Sequence, residues 1–224
     1  MVSEFKDVAV QAPGRSGRAR GARGLSPYRC WRPTPDETAQ TAVAVLIGLF
    51  LIHGPPLVLK LDNGSAYRAE AMQKALVGYG VVVLYSPAYS PEYNGSAEAG
   101  VGSMKARTEE QAERSGHPGL WTAEDAERAR LEANVFSISP VDPRQSPQQV
   151  WQAREPLRLE ERQALAAKVN TFREEEKAQQ QAEGKAEGGQ EAEVKQSSWR
   201  VLLRRALRSL GYLLLRWRRI PPRV

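Results

Sequence analysis

Apolar positions are unevenly spread along the chain, and their spacing predicts most of its elements. MVSEFKDVAV can form one short strand, but QAPGRSGRARGARGLSP after it has hardly an apolar side chain. Such a stretch buries too little surface to fold. From Tyr28 the pattern changes. YRCW alternates enough to end a strand, and Thr34-Pro35-Asp36-Glu37 reads as a helix start, with Thr34 as cap and Pro35 at the first helical position. The run TAQTAVAVLIGLFLIHG is apolar nearly all round, which predicts a helix buried against a sheet and stopped by Gly54-Pro55-Pro56. His53 reads as its C-terminal residue. Leu57 to Leu61, apolar on both faces, predicts a central strand.

Ser65 to Tyr79 places Ala69, Met72, Leu76 and Tyr79 at helical spacing, and Val81 to Tyr85 is a β-branched strand. A Ser/Pro/Tyr/Asn/Gly loop follows, and a helix opens near Glu98. Thr122 to Asp125 is a second capping signal, ahead of AERARLEANVF, and SPQQVWQAR predicts a short helix. Trp121 and Trp151 read as packing residues. Residues 158 to 180 are helical and highly charged. EEEKAQQQAEGKAEGGQEAEVK reads as a linker, and SWRVLLRRALRSLGYLLLRWRRIPPRV opens as a basic amphipathic helix. The order helix, strand, helix, strand, helix predicts an α/β class.

Charge and composition narrow the function classes. Lys and Arg number 32 against 26 Asp and Glu, a net charge of +6, which suits a polyanionic partner. One cysteine, Cys30, excludes a disulfide scaffold within the chain. His53 and His117, with that single cysteine, make no zinc-knuckle spacing. The charged, Gly/Arg-rich start has no signal-peptide layout. The longest apolar run, Ala42 to Ile52, is shorter than the ~20 residues a bilayer needs. The chain therefore reads as cytoplasmic, with no membrane partner. The rival for its basic C-terminal helix is binding at a membrane surface.

Two acids have unusual settings. Asp62 ends the apolar run LVLKL and is followed at once by Asn63-Gly64-Ser65. Glu98 follows the segment from Tyr89 to Ala97, and thirty-five residues separate the two acids. An Asp at the carboxyl end of a buried strand points into the crevice where such sheets bind ligands. A Glu in a helix's first turn is favoured by the helix dipole. Two-metal phosphoryl chemistry needs carboxylates from separate elements to converge in this way. The plainer alternative is that Asp62 only opens an Asp-Asn-Gly turn and Glu98 is an ordinary first-turn acid.

Taken together, Asp62-Asn63-Gly64-Ser65 and Tyr89-Ser90-Pro91-Glu92-Tyr93-Asn94-Gly95-Ser96-Ala97-Glu98 resemble the catalytic core of retroviral-type integrases and related insertion-sequence transposases. The resemblance covers about residues 28 to 154. It implies a ribonuclease H-like α/β fold, incomplete at its N-terminus, with a helical C-terminal extension. It also implies Mg²⁺ or Mn²⁺ at Asp62 and Glu98, metal-dependent DNA end cleavage and strand transfer, and a homo-oligomer or pairing with intact transposase subunits. The family's first catalytic Asp should sit on a strand near the start. Asp7, in EFKDVAV, is one candidate. The other reading is that this strand is missing and residues 1 to 27 are unrelated sequence from a truncation or shifted frame. On the Glu98 helix, Lys105 falls on the Glu98 face and fits a DNA contact, with Arg107 a second candidate. Tyr93 and Asn94, like Tyr89, could meet a DNA end. The C-terminal segment offers Arg204, Arg205, Arg208, Arg216, Arg218 and Arg219 as a cationic DNA-binding face. The expected organisation is a Gly/Arg-rich tail (1–27), the core with a helical appendage (28–156), a charged helix and linker (157–195) and a basic segment (196–224). The alternative to a catalytic fragment is a non-catalytic DNA-binding or subunit-binding transposase remnant.

Overall fold

The computed structural model describes residues 28–32, 34, 36–87, 95–139, 142–182 and 191–213. The chain divides into two compact units, Met1–Leu157 and Arg158–Val224.

In the first unit, strand β1 (Val58–Leu61) pairs in parallel with β2 (Val82–Tyr85), Val58 opposite Val82 and Leu61 opposite Tyr85. A parallel pair needs a crossover. It is supplied by helices α2 (Ser65–Arg68) and α3 (Glu70–Gly78). The expected single helix over residues 65–79 is broken at Ala69, whose ψ of 145° is extended. The break frees the Tyr67 carbonyl, which accepts from the Tyr85 hydroxyl at 2.9 Å and the Gln73 amide at 3.2 Å. A satisfied carbonyl removes most of the cost of interrupting the helix.

Helix α1 (Ala39–His53) lies over this layer. Ala42, Leu46 and Phe50 form one core cluster with Leu59, Leu61, Met72, Leu76 and Val81. The helix is not buried all round as its sequence suggested. Leu51 and Ile52 are 75% and 65% exposed, because the layer offers only one face to pack on. Its cap is Thr38, four residues after the expected Thr34. The Asp36 carboxylate takes both the N–H and the hydroxyl of Thr38, and that hydroxyl accepts from the Thr41 N–H at 3.3 Å. Thr34 instead donates to the Asp36 carbonyl. Gly54, at φ 77°, closes the other end.

Residues 28–32 form no strand. Their backbone is held by a side chain. The Arg29 N–H donates to Asn134 Oδ1 at 2.7 Å, and Asn134 Nδ2 donates back to the Arg29 carbonyl at 2.9 Å. Next to this latch, Trp31 is buried with Val101 and Met104 of α4 (Gly95–Arg114) and Ala126, Ala129 and Ala133 of α5 (Ala123–Val135). Two capping boxes start the following helices, Thr122 with Asp125 at α5 and Ser146 with Gln149 at α6 (Pro147–Gln152). Trp151 is buried, in line with the packing role expected of it.

In the second unit, α7 (Leu159–Ala182) packs on α8 (Glu191–Ser209), burying Leu165, Val169 and Phe172 on one helix and Leu202, Leu203, Ala206 and Leu207 on the other. Both helices run into what reads as a linker by composition. Its Glu, Ala, Gln and Lys residues are good helix formers, and its glycines fall at 184, 188 and 189, outside the described residues. No helix among the described residues is long and apolar enough to cross a membrane.

Two outcomes follow from this packing. Asn134→Ala removes both bonds to Arg29 and should lower stability by ~1–3 kcal/mol, read from urea unfolding. The second concerns pH. Asp125 is 1% exposed, and hydrogen bonds from the Thr122 hydroxyl and His117 hold its carboxyl far below the usual range. Its stabilisation is therefore present above the unfolded carboxylate pKa of ~3.9 and drains away as pH falls below it. Acid unfolding of Asp125→Asn should lack that part of the pH dependence.

Candidate active site

The carboxyl ends of β1 and β2 carry the candidate site. The strand ladder runs to its last bond, Ser86 N–H to the Leu61 carbonyl at 2.9 Å. Asp62 is therefore delivered half-buried where the strand stops. Asp62 Oδ1 accepts from the Gly64 N–H at 2.8 Å, so the Asp-Asn-Gly turn does form. A Cβ at Gly64 would lie 3.0 Å from that same oxygen, so a larger residue there would push the Asp62 carboxylate by a few tenths of an ångström. Asn63 Nδ2 donates to the Ser86 carbonyl at 3.0 Å and ties the two strand ends together.

Two residues that sequence reasoning passed over join this corner. Arg68 donates to Asn63 Oδ1 at 2.5 Å, and its guanidinium lies 4.5 Å over the Tyr85 ring. A neutral amide and an aromatic face hold this cation beside Asp62. Its position at the end of the turn of helix after Asp-Asn-Gly-Ser was the available signal. Glu37 is the second. The Tyr67 phenol is pushed up to about 12 by burial, then by the charges of Asp62 and Glu37. The entry to α1 and the exit of β1 therefore share one neighbourhood, which no local sequence pattern reports.

Glu98 sits in the first turn of α4 and is exposed. Lys105 is exposed farther along the same helix. Arg107 is half-buried and turned to α5, 3.5 Å from Glu132 Oε1 and 3.3 Å from the Ser137 hydroxyl. In the second unit Arg204, Arg205 and Arg208 are exposed on α8. Arg205 pairs with Glu175 at 2.8 Å and lies 3.9 Å over the Phe172 ring. Asp7, Tyr93, Asn94, Arg216, Arg218 and Arg219 lie outside the described residues.

Asp62 and Glu98 are oxygen donors of the kind Mg²⁺ and Mn²⁺ take. Among the described residues, no group of three or more His, Cys, Asp or Glu side chains is placed to hold a metal ion. The described donors thus suit such a cation in kind without completing its shell.

No family model matches the sequence, and no curated protein matches it. Solved structures do show partial likeness. A chain of the simian T-cell lymphotropic virus intasome in complex with PP2A regulatory subunit B56 gamma is 21% identical, with a TM-score of 0.48 over 56% of this chain. This chain spans 43% of that one's length. The HTLV-2 integrase catalytic core domain in complex with magnesium is 16% identical, TM-score 0.43, covering 53% of this chain and 72% of its own. The BIV integrase catalytic core domain is 20% identical, TM-score 0.46, covering 57% and 79%.

The Tyr67 environment gives a direct check on the corner. Asp62→Asn should lower the Tyr67 pKa from about 12 toward the ordinary 10.0, with burial keeping it above that value. An NMR titration of isotope-labelled tyrosine reads the change. An unmoved pKa would place Asp62 away from the phenol.

Proposed function

We propose that this chain is the catalytic-core portion of an insertion-sequence transposase of the integrase type. Its core would be ribonuclease H-like, acting in the cytoplasm on DNA ends in integration. One observation carries the reading. Asp62 stands at the carboxyl end of a parallel strand, and Glu98 stands in the first turn of the helix after the next strand. Ligands of parallel α/β sheets bind at that edge, and the two acids come from separate elements.

In this reading the reaction is hydrolysis at a transposon end, then attack of the freed 3′-hydroxyl on target DNA. Asp62 and Glu98 would hold Mg²⁺ or Mn²⁺, which when bound would supply activation of the nucleophile and stabilisation of the leaving oxygen. The chain's own groups do the rest. The Gly64 N–H fixes the rotamer of Asp62 through Oδ1. Arg68, held by Asn63 and Tyr85, offers its guanidinium to a phosphodiester. Lys105, Arg107, Tyr93 and Asn94 are the proposed DNA contacts of the core. Arg204, Arg205, Arg208, Arg216, Arg218 and Arg219 are those of the C-terminal segment. Asp7 is the proposed first acid where residues 1–27 belong to the core.

A second reading, a non-catalytic remnant that binds transposase subunits, has its own support. Leu131 and Val135 are neighbours on the α5 face, and both are exposed, as are Ile52 on α1 and Phe136 just past α5. An exposed apolar pair on one helix face, with Ile52 lining the same cavity as Leu131, suits an interaction face.

A strand-transfer assay on a labelled transposon-end duplex separates the two. The expected result is Mg²⁺-dependent joining that falls to background in Asp62→Asn and in Glu98→Gln while DNA binding survives. A wild-type chain that binds DNA or an intact transposase but joins nothing would support the remnant, and Asp7→Asn tests the first acid. In a salt titration of DNA binding, Arg204→Ala and Arg208→Ala should each flatten the log–log slope by about 1.

A further inference from the structure

The opposite end of α1 from Asp62 holds a second feature. The helix has fifteen residues, so its ends stand ~22 Å apart at 1.5 Å per residue. Beside its last residue, His53, opens a cavity of about 420 Å³ between α1, α5 and α6, within the ~300–1,000 Å³ range of small-molecule sites. Ile52 and Leu131 form apolar walls, Gln148 and Gln152 stand on α6, and Trp151 and Arg154 close it.

The charges in this cavity do not balance. Arg130 pairs with Glu127, with Nε to Oε2 at 2.7 Å and Nη2 to Oε1 at 2.5 Å, while its Nη1 donates to the Tyr28 hydroxyl at 3.2 Å; Glu127 also pairs with Arg32 at 3.5 Å. Arg154 has no such partner. It donates to the carbonyls of Trp151 and His53 and lies 3.4 Å over the Trp151 ring. No carboxylate among the described residues pairs with it. Burial lowers its basicity, the mark of a charge held where it is poorly solvated.

His53 is a donor here. Burial, then Arg154, Arg130 and Arg32, lower its pKa below the usual value, so it is neutral near pH 7. Nδ1 accepts from Trp151 Nε1 at 3.2 Å, which leaves the proton on Nε2. The side-chain amides of Gln148 and Gln152 make no hydrogen bond to described residues. The cavity thus combines one uncompensated cation, one imidazole N–H, two open amides and aliphatic walls.

We propose that this cavity binds a small organic acid of about the size of benzoate. Its carboxylate would be held by Arg154 and His53, and its flat apolar body would rest against Ile52 and Leu131. A single unpaired guanidinium matches a monoanion. A nucleotide is disfavoured because the Trp151 ring is already stacked on Tyr28, with centroids 5.1 Å apart and planes 11° apart, and lies under Arg154. It has no face left for a base. The proposal does not rest on the DNA-integration reading.

The test uses the full chain and benzoate, with benzamide as its neutral isostere and inorganic phosphate as a bare anion. The readout is the indole N–H resonance of Trp151, assigned by its loss in Trp151→Phe. Benzoate should shift it saturably. Benzamide should bind at least about tenfold more weakly, the loss of one charged hydrogen bond, and phosphate at least about tenfold more weakly because it has no apolar body to rest against Ile52 and Leu131. Arg154→Gln should weaken benzoate by at least about tenfold on the same grounds. That variant also frees the end of α1, so Ile52→Glu gives an independent check. Residue 52 is 65% exposed, and a carboxylate there should repel benzoate without altering the thermal melt. Benzoate and benzamide binding alike, phosphate matching benzoate, or no probe moving Trp151 at millimolar concentration would each overturn the proposal.

Discussion

The parallel pairing of β1 with β2 is the constraint on which the first unit depends. Two parallel strands cannot be joined by a tight turn, so the chain must leave the sheet, cross it and return. The crossover here is α2 and α3, with Met72 and Leu76 facing the strands. Because the ladder runs to Ser86, Asp62 and Ser86 finish side by side, and Asn63 bridges them. A one-residue slip in this register would turn Leu59 and Leu61 out of the core and Asp62 away from the corner. The catalytic candidate and the hydrophobic core therefore stand or fall together.

Side chains elsewhere take over work that backbone pairing usually does. Asn134, fully buried on α5, presents to Arg29 the donor and acceptor that a neighbouring strand would offer. Residues 28–32 are therefore anchored without belonging to a sheet, and Trp31 can enter the α4–α5 core. Tyr28, placed by the same latch, stacks on Trp151 and accepts from Arg130. One buried amide thus couples the start of the described chain to both the helical core and the cavity beside His53.

Charge is used in two ways. On α8 the arginines line an exposed face, and Arg205 joins α8 to α7 through Glu175 and Phe172. Exposed pairs of this kind contribute little to stability, ~0–1 kcal/mol, so the apolar seam of Leu165, Val169, Leu203 and Ala206 holds these two helices together. In the first unit, Arg68 and Arg154 are each held by neutral acceptors and an aromatic ring rather than by a carboxylate. A guanidinium held that way keeps its charge available to an anion.

Local chemistry was legible in the chain itself. The strands at 58–61 and 82–85, the cap at Thr122, the short helix at 147–152, the stop at Gly54 and the positions of Asp62 and Glu98 at element ends all follow from spacing, propensity and turn residues acting over a few positions. The break at Ala69 was not legible, because the groups that make it tolerable, Tyr85 and Gln73, reach the Tyr67 carbonyl only after folding. The cap at Thr38 rather than Thr34 was settled at Asp36, whose carboxylate holds Thr38 while its backbone carbonyl takes the Thr34 hydroxyl. The exposure of Leu51 and Ile52 depended on how wide a face the sheet layer offers α1. The latch between Arg29 and Asn134 joins residues more than a hundred positions apart. Arg68 at the Asp62 corner, Glu37 near Tyr67 and Arg154 over the Trp151 ring are likewise products of long-range assembly. The sequence by itself determined most of the helix and strand segments and where the two acids fall on them, though not the irregular course of residues 28–32, the break at Ala69 or the helical ends of the segment read as a linker. Tertiary structure alone decided which of those groups meet, since hydrogen bonding and burial between distant segments leave no periodic trace along the chain.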